Sequence, residues 1–170
     1  MPELNIAGII RETIVDGPGL RFTLFVQGCP HKCIGCHNPK THSFDGGKKV
    51  DINKIEKEIL KNPLLKGVTF SGGEPFCQAE NLSLLGKKLK ENNLDIVTYT
   101  GYTFEYLFKN SNEENHYMDL LEITDILIDG PFILKEKSLA LKFRGSKNQR
   151  IIDCQKSLKE KSVIIKDLTY

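Results

Sequence analysis

The sequence predicts an α/β protein, either a partial (βα) barrel or an open, mostly parallel sheet. Three observations carry this. Short apolar runs rich in strand formers alternate with stretches of helical periodicity, the signature of βαβ units and hence of parallel strands joined by right-handed crossovers. At 170 residues the chain falls short of the roughly 250 typical of a complete eight-stranded barrel, and it offers too few strand candidates to close one. Polar, glycine-rich segments begin where predicted strands end.

The elements follow in order. Residues 22–26 (FTLFV) are a continuous apolar run of strand formers. Residues 51–62 put Ile52, Ile55, Ile59 and Leu60 on one helical face, with Asp51 as N-cap and Pro63 as stop. Residues 68–70 form a short strand, and Leu82, Leu85 and Leu89 then mark a helix ending near residues 92–93. Residues 96–99 are the next strand, Phe104, Leu107 and Phe108 the next helical face, and residues 126–128 a further strand. Residues 151–152 and 163–165 are two shorter strand candidates. No repeat, low-complexity tract or linker interrupts the chain, so residues 1–170 are expected to form a single domain.

Four special segments start at strand ends: QGCPHKCIGCHN (27–38), SGGEP (71–75), TGY (100–102) and DGPF (129–132). Ligands of parallel α/β sheets sit outside the carboxyl ends of the strands, so these segments should converge on one mouth.

Composition narrows the class. Hydrophobic residues make up 39% and charged residues 27%, and the formal net charge is +2. That balance argues against a nucleic-acid groove or an anionic membrane as partner, and Lys87-Lys88-Leu89-Lys90 reads as a solvated helix face. No apolar run reaches the 18 or so residues of a membrane span, and Glu3 stands where a secretory leader needs positive charge. The expected location is the cytoplasm. Thiols stay reduced there, so the five cysteines are metal ligands, catalysts or small hydrophobes before they are disulfides.

Three of them, Cys29, Cys33 and Cys36, form C-x3-C-x2-C in a loop punctuated by Pro30 and Gly35. Thiolates this close in sequence can wrap one soft metal centre from a single loop. Zinc would need a fourth ligand, which His31, His37 or His42 could supply. An iron–sulfur cluster would take the three cysteines and keep one iron without a protein ligand. Cys77 and Cys154 stand apart and read as non-ligands. Ser71-Gly72-Gly73-Glu74-Pro75 lies between a strand and a helix, where paired glycines let the main chain approach a ligand or simply make a turn. It is no phosphate-binding loop, because no Gly-Lys-Ser/Thr follows. Asp129-Gly130-Pro131 and Thr100-Gly101-Tyr102 are most simply turns.

Taken together, these segments resemble a known family. C-x3-C-x2-C followed by GGEP resembles the radical S-adenosylmethionine enzymes. DGPGLRFTLFVQGCPHKCIGCHNP (16–39) narrows the resemblance to the activating enzymes of glycyl-radical proteins. YTGYTFEYL (99–107), DILIDGPF (125–132) and FRGSKNQRIID (143–153) resemble the group that activates the anaerobic ribonucleoside-triphosphate reductase. The similarity runs over residues 10–153, the core of a radical S-adenosylmethionine domain, and the tail 154–170 carries none.

The resemblance implies a [4Fe-4S] cluster on Cys29, Cys33 and Cys36, with its unique iron chelated by the amino and carboxylate groups of S-adenosylmethionine. It implies Gly72, Gly73 and Glu74 at the methionine end, with Gly73 the direct contact, and the main chain of Gly35, Cys36 and His37 against the adenosine. Where many relatives carry an aromatic residue before the third cysteine this chain has Gly35, and His37 is the ring that could replace it. The implied reaction is reductive cleavage to a 5′-deoxyadenosyl radical, which takes a hydrogen atom from the Cα of a glycine on a loop of the large reductase subunit. No side chain acts as acid or base. The implied setting is anaerobic, with an external one-electron donor. Arg144, Gly145, Asn148 and Gln149 belong to the partner-docking surface, to the cofactor site, or to a polar turn. Two other readings remain: an activase of a different glycyl-radical enzyme such as pyruvate formate-lyase, and a non-catalytic zinc-binding module, which would be colourless.

Overall fold

The computed structural model describes residues 2–36 and 39–168. Its strands are β1 (Glu3–Thr13), β2 (Arg21–Val26), β3 (Lys48–Asp51), β4 (Gly67–Gly72), β5 (Asp95–Tyr99), β6 (Ile126–Asp129) and β7 (Arg150–Asp153). Its helices are α1 (Ile52–Leu60), α2 (Ala79–Glu91), α3 (Phe104–Asn110), α4 (Tyr117–Ile123) and α5 (Cys154–Glu160). One sheet runs in the order β3-β1-β2-β4-β5-β6-β7. β2, β4, β5 and β6 are mutually parallel, whereas β1 runs antiparallel to β2 and β3, and β7 antiparallel to β6. The expected α/β architecture is therefore present, with antiparallel strands added at both flanks.

The two faces of the sheet separate by strand alternation. Phe22, Leu24 and Val26 of β2, Val68 and Phe70 of β4 and Ile96 of β5 meet Ile55 and Ile59 of α1 and Leu82, Leu85 and Leu89 of α2 in the main core. The opposite face carries Val97, Ile126 and Ile128, against which Tyr99, Phe143 and Ile151 pack. Both faces of β2 are covered, which is why it reads as an unbroken apolar run. Ile10 of β1 and Gln149 beside β7 line one cavity, although their strands would be roughly 24 Å apart in a flat sheet at ~4.8 Å per strand. The sheet is thus curved around the cavity, as a partial barrel is.

The floor of that barrel is polar and tied down. Arg21, fully buried, donates from Nε to Thr69 Oγ1 (2.8 Å), from Nη1 to the Pro18 carbonyl (3.0 Å) and from Nη2 to the Val68 carbonyl (2.9 Å). Its Nη1 also pairs with Asp95 Oδ1 at 2.6 Å. Thr69 Oγ1 donates to the Asp16 carbonyl at 2.7 Å, and Thr23 Oγ1 to Asp16 Oδ2 at 3.1 Å. The segment 16–21, DGPGLR, therefore plugs the barrel rather than serving as a plain turn.

Asp51 is the N-cap of α1, as its position predicts: its Oδ1 accepts from the Asn53 N–H at 2.7 Å. Asp51→Ala should cost about 1 kcal/mol, read as a melting temperature about 2–4 °C lower. An unchanged melting temperature would mean that the cap contributes nothing. Residues 163–165 differ from expectation. They make a single bridge, Ile152 to Ile165, rather than a strand. The Asp153 and Lys166 N–H groups bond to the Ile164 and Ile151 carbonyls, so the tail covers the outer edge of β7.

Candidate active site

The loop after β2 is closed on itself by the main chain. The Gly28 N–H donates to the Thr41 carbonyl (2.6 Å) and the Cys29 N–H to the His42 carbonyl (3.0 Å). The buried Gln27 side chain donates from Nε2 to the carbonyls of Lys40 (3.0 Å) and Ser43 (2.6 Å). Gly28 sits at φ +103°, and a Cβ there would meet the Phe44 ring at 2.5 Å, so only glycine closes this loop. Cys29, Cys33 and Cys36 all line one cavity of about 440 Å³. None of the three is in a disulfide, and Cys29 is buried and the others half-buried. Burial pushes the Cys29 thiol up, so metal binding there must displace a tightly held proton.

The loop after β4 is zipped onto the start of the cysteine loop. The Gly73 N–H donates to the Val26 carbonyl (2.7 Å) and the Glu74 N–H to the Gly28 carbonyl (2.8 Å). A Cβ on Gly73 would lie 2.3 Å from the Gly28 carbonyl oxygen. Ser71, Gly72 and Gly73 line the cavity.

Glu74 departs from the expectation that it faces the ligand: it is fully buried and does not line the cavity. The physical reason is its donors. Its carboxylate accepts from the Phe76 N–H (3.0 Å), the Thr100 hydroxyl (2.9 Å to each oxygen) and the Gly101 N–H (2.8 Å), and its Oε1 is 2.6 Å from His31 Nε2. One carboxylate thus joins the β2, β4 and β5 loops. His31 is correspondingly occupied, paired with Glu74 and edge-on to the Tyr102 ring at 4.5 Å, rather than held out as a fourth metal ligand.

Gly35, at φ +76°, lies beside the cavity, where a Cβ would meet Leu134 at 2.9 Å and Phe132 at 3.4 Å. His37 lies outside the described residues. Cys77, in the turn Pro75–Gln78, and Cys154, fully buried with its Sγ 3.4 Å from the Leu121 carbonyl, do not line the cavity.

The far wall comes from the β6–β7 connection, which sequence reasoning left with three roles. Gln149 braces it, accepting at Oε1 from the Gly145 (2.8 Å) and Ser146 (3.2 Å) N–H groups and donating from Nε2 to the Gly130 carbonyl (3.0 Å). Asn148 Nδ2 donates to the Pro131 carbonyl at 2.8 Å. The Tyr99 hydroxyl, kept protonated by burial, donates to the Phe143 carbonyl at 2.6 Å. All four predicted strand-end loops therefore contribute to one cavity, through Cys29, Gly73, Thr100 and Gly130.

The donor set suits a polynuclear cluster better than a single ion. Among the described residues no three His, Cys, Asp or Glu side chains converge as the ligands of one metal ion. A cubane spreads its thiolates over separate corners, so three thiols that line one cavity suit its chemistry.

Comparison with known proteins agrees. Residues 15–152 match the family described as a 4Fe-4S single cluster domain. An anaerobic ribonucleoside-triphosphate reductase-activating protein of Vibrio cholerae is 39% identical over 147 residues, covering 81% of this chain and 90% of that one. A pyruvate formate-lyase-activating enzyme of Staphylococcus epidermidis is 36% identical over 155 residues, covering 86% of this chain but 59% of that one. Among solved structures, the QueE protein of Escherichia coli superimposes with a TM-score of 0.49 at 18% identity, covering 59% of this chain and 53% of that one. On the first two matches, the chain belongs to the anaerobic ribonucleoside-triphosphate reductase-activating proteins, within the 4Fe-4S single-cluster family.

Proposed function

We propose that this chain activates an anaerobic ribonucleoside-triphosphate reductase by removing a hydrogen atom from the Cα of one glycine on the large reductase subunit. The observation that carries this reading is the meeting, in one cavity at the carboxyl ends of parallel strands, of three cysteines outside any disulfide and a glycine pair. Cys29, Cys33 and Cys36 hold the [4Fe-4S] cluster, and its one iron without a protein ligand is left for S-adenosylmethionine. Such a cluster, bound and reduced, would supply one electron to the sulfonium, splitting it into methionine and a 5′-deoxyadenosyl radical that could accept the hydrogen atom.

The chain's own share is placement. Gly72 and Gly73 offer bare main chain to the methionyl group, and Gly35 and Cys36 are the described residues that would lie against the adenosine. Phe25, Tyr99, Phe132 and Phe143 give the cavity aromatic lining. Residues 10–153 form the catalytic core of one domain, with 154–170 appended. A net charge of +2, and the lack of a helix long and apolar enough to cross a membrane among the described residues, support a cytoplasmic protein working with neither nucleic acid nor membrane. An external one-electron donor is required.

The match over 90% of a reductase-activating relative, against 59% of a formate-lyase-activating one, favours the reductase as target. The test mixes anaerobically reconstituted protein with S-adenosylmethionine, a chemical reductant and either the reductase or pyruvate formate-lyase, and reads the glycyl-radical signal by electron paramagnetic resonance. A signal on the reductase alone is expected. A signal on the lyase alone would shift the target, and consumption of S-adenosylmethionine with no glycyl radical on either would overturn the activase reading.

A further inference from the structure

We propose that Arg144 is the receptor for the substrate peptide: its guanidinium binds a main-chain carbonyl of the glycine-bearing loop of the partner as that loop enters the cavity. The inference rests on the activase reading above and names how the same site holds its macromolecular substrate.

Arg144 lines the cavity, and its Nε is buried with no hydrogen-bond partner among the described residues. A buried N–H of a permanent cation left unpaired is costly, so its retention calls for an acceptor that arrives from outside. Elsewhere on the guanidinium, Nη1 donates to the Gln149 carbonyl at 3.1 Å. The backbone that aims it is held in an uncommon conformation: Phe143, immediately before it, sits at φ +64°, unusual for a bulky residue. That conformation is held by the Tyr99 hydroxyl on the Phe143 carbonyl and by the Phe143 ring packed on Val97, Ile126 and Ile128. Such outliers persist where surroundings over-determine them, and they cluster at ligand clamps.

Position and chemistry select the acceptor. The cysteines and the glycine pair follow β2 and β4, whereas Arg144 belongs to the β6–β7 connection and is fastened to Gln149 at the start of β7. On the activase reading, the anionic end of S-adenosylmethionine goes to the cluster iron that the cysteines leave open. What must be gripped at the β7 end is a peptide whose reacting residue is glycine. Glycine has no side chain to read, so recognition next to it has to use N–H and C=O groups, and a planar guanidinium with a free Nε–H is built to donate to a carbonyl.

The test uses the full-length, cluster-loaded protein with the reductase. For wild type, Arg144→Ala and Arg144→Lys it measures glycyl radical formed per 5′-deoxyadenosine released. This ratio is internal to each sample, so partial unfolding of a variant does not change it. Loss of a charged hydrogen bond to the substrate should lower it at least about tenfold in Arg144→Ala, and Arg144→Lys, which lacks an Nε–H in a planar fork, should stay uncoupled. Affinity for a synthetic peptide spanning the reductase's glycine segment should fall in parallel. An unchanged ratio in Arg144→Ala would overturn the proposal. Full rescue by lysine would overturn it too, because a point charge would then suffice, as would a loss of S-adenosylmethionine affinity that accounts for all of the lost radical. A wild-type protein that makes no glycyl radical on the reductase refutes the activase reading instead, before any variant is compared.

Discussion

Cys33→Ala protein, reconstituted anaerobically with iron and sulfide, is expected to remain colourless and to release no 5′-deoxyadenosine from S-adenosylmethionine. Changing a group behind a metal ligand typically costs ~10–100-fold in affinity or activity, and loss of one of only three ligands must cost more. Cys29→Ala and Cys36→Ala should behave alike, since all three cysteines line the same cavity and none is held in a disulfide. Cys77→Ser is the contrasting control: Cys77 is exposed and off the cavity, so that variant should load its cluster fully. Iron content and the visible spectrum decide the matter. Full loading of Cys33→Ala would remove these cysteines from the metal site.

The second large effect is structural. Glu74→Ala leaves four donors, at His31, Phe76, Thr100 and Gly101, without their common acceptor inside the protein. Removing one partner of such a buried, charge-assisted network costs about 3–5 kcal/mol, which for a chain of this size lowers the melting temperature by roughly 10 °C. Because the carboxylate ties the cysteine loop to the β5 loop, cluster loading should fall with it. Glu74→Gln keeps the volume and one acceptor oxygen and should lose less. The melting temperature of the metal-free protein separates this bracing role from ligand contact. An unaltered melting temperature in Glu74→Ala, with S-adenosylmethionine affinity alone reduced, would return Glu74 to the ligand surface.

This contrast shows where the sequence is readable. Local signals survive translation into structure. The runs at β2, β4, β5 and β6 are apolar because both their faces are buried, Asp51 caps α1 within two residues, and the three cysteines share one loop. Long-range dependence does not show locally. Glu74 is followed by a proline and looks like a ligand-facing turn residue; its partners His31 and Thr100 lie 43 and 26 positions away. β1 is hidden because its alternation is broken by register shifts between Ile6 and Gly8 and between Ile10 and Thr13, and it is a strand because β2 and β3 flank it. β3 opens with Lys48 and Lys49, as an edge strand protected by charge does, and so does not read as core. α4 and α5 are seven residues each, too short for periodicity to declare itself, and packing rather than propensity makes them helices. The far wall is the same case: Gln149 looks like turn polarity until its amide is seen to bridge Gly130 and Gly145.

The most direct measurement is 5′-deoxyadenosine formation by the wild-type protein, reconstituted with iron and sulfide under anaerobic conditions, reduced, and given S-adenosylmethionine. A brown protein that releases 5′-deoxyadenosine and methionine in equal amounts, and stops doing so on exposure to air, is the predicted result. A colourless protein that binds zinc, takes up no iron–sulfur cluster and leaves S-adenosylmethionine intact would contradict it.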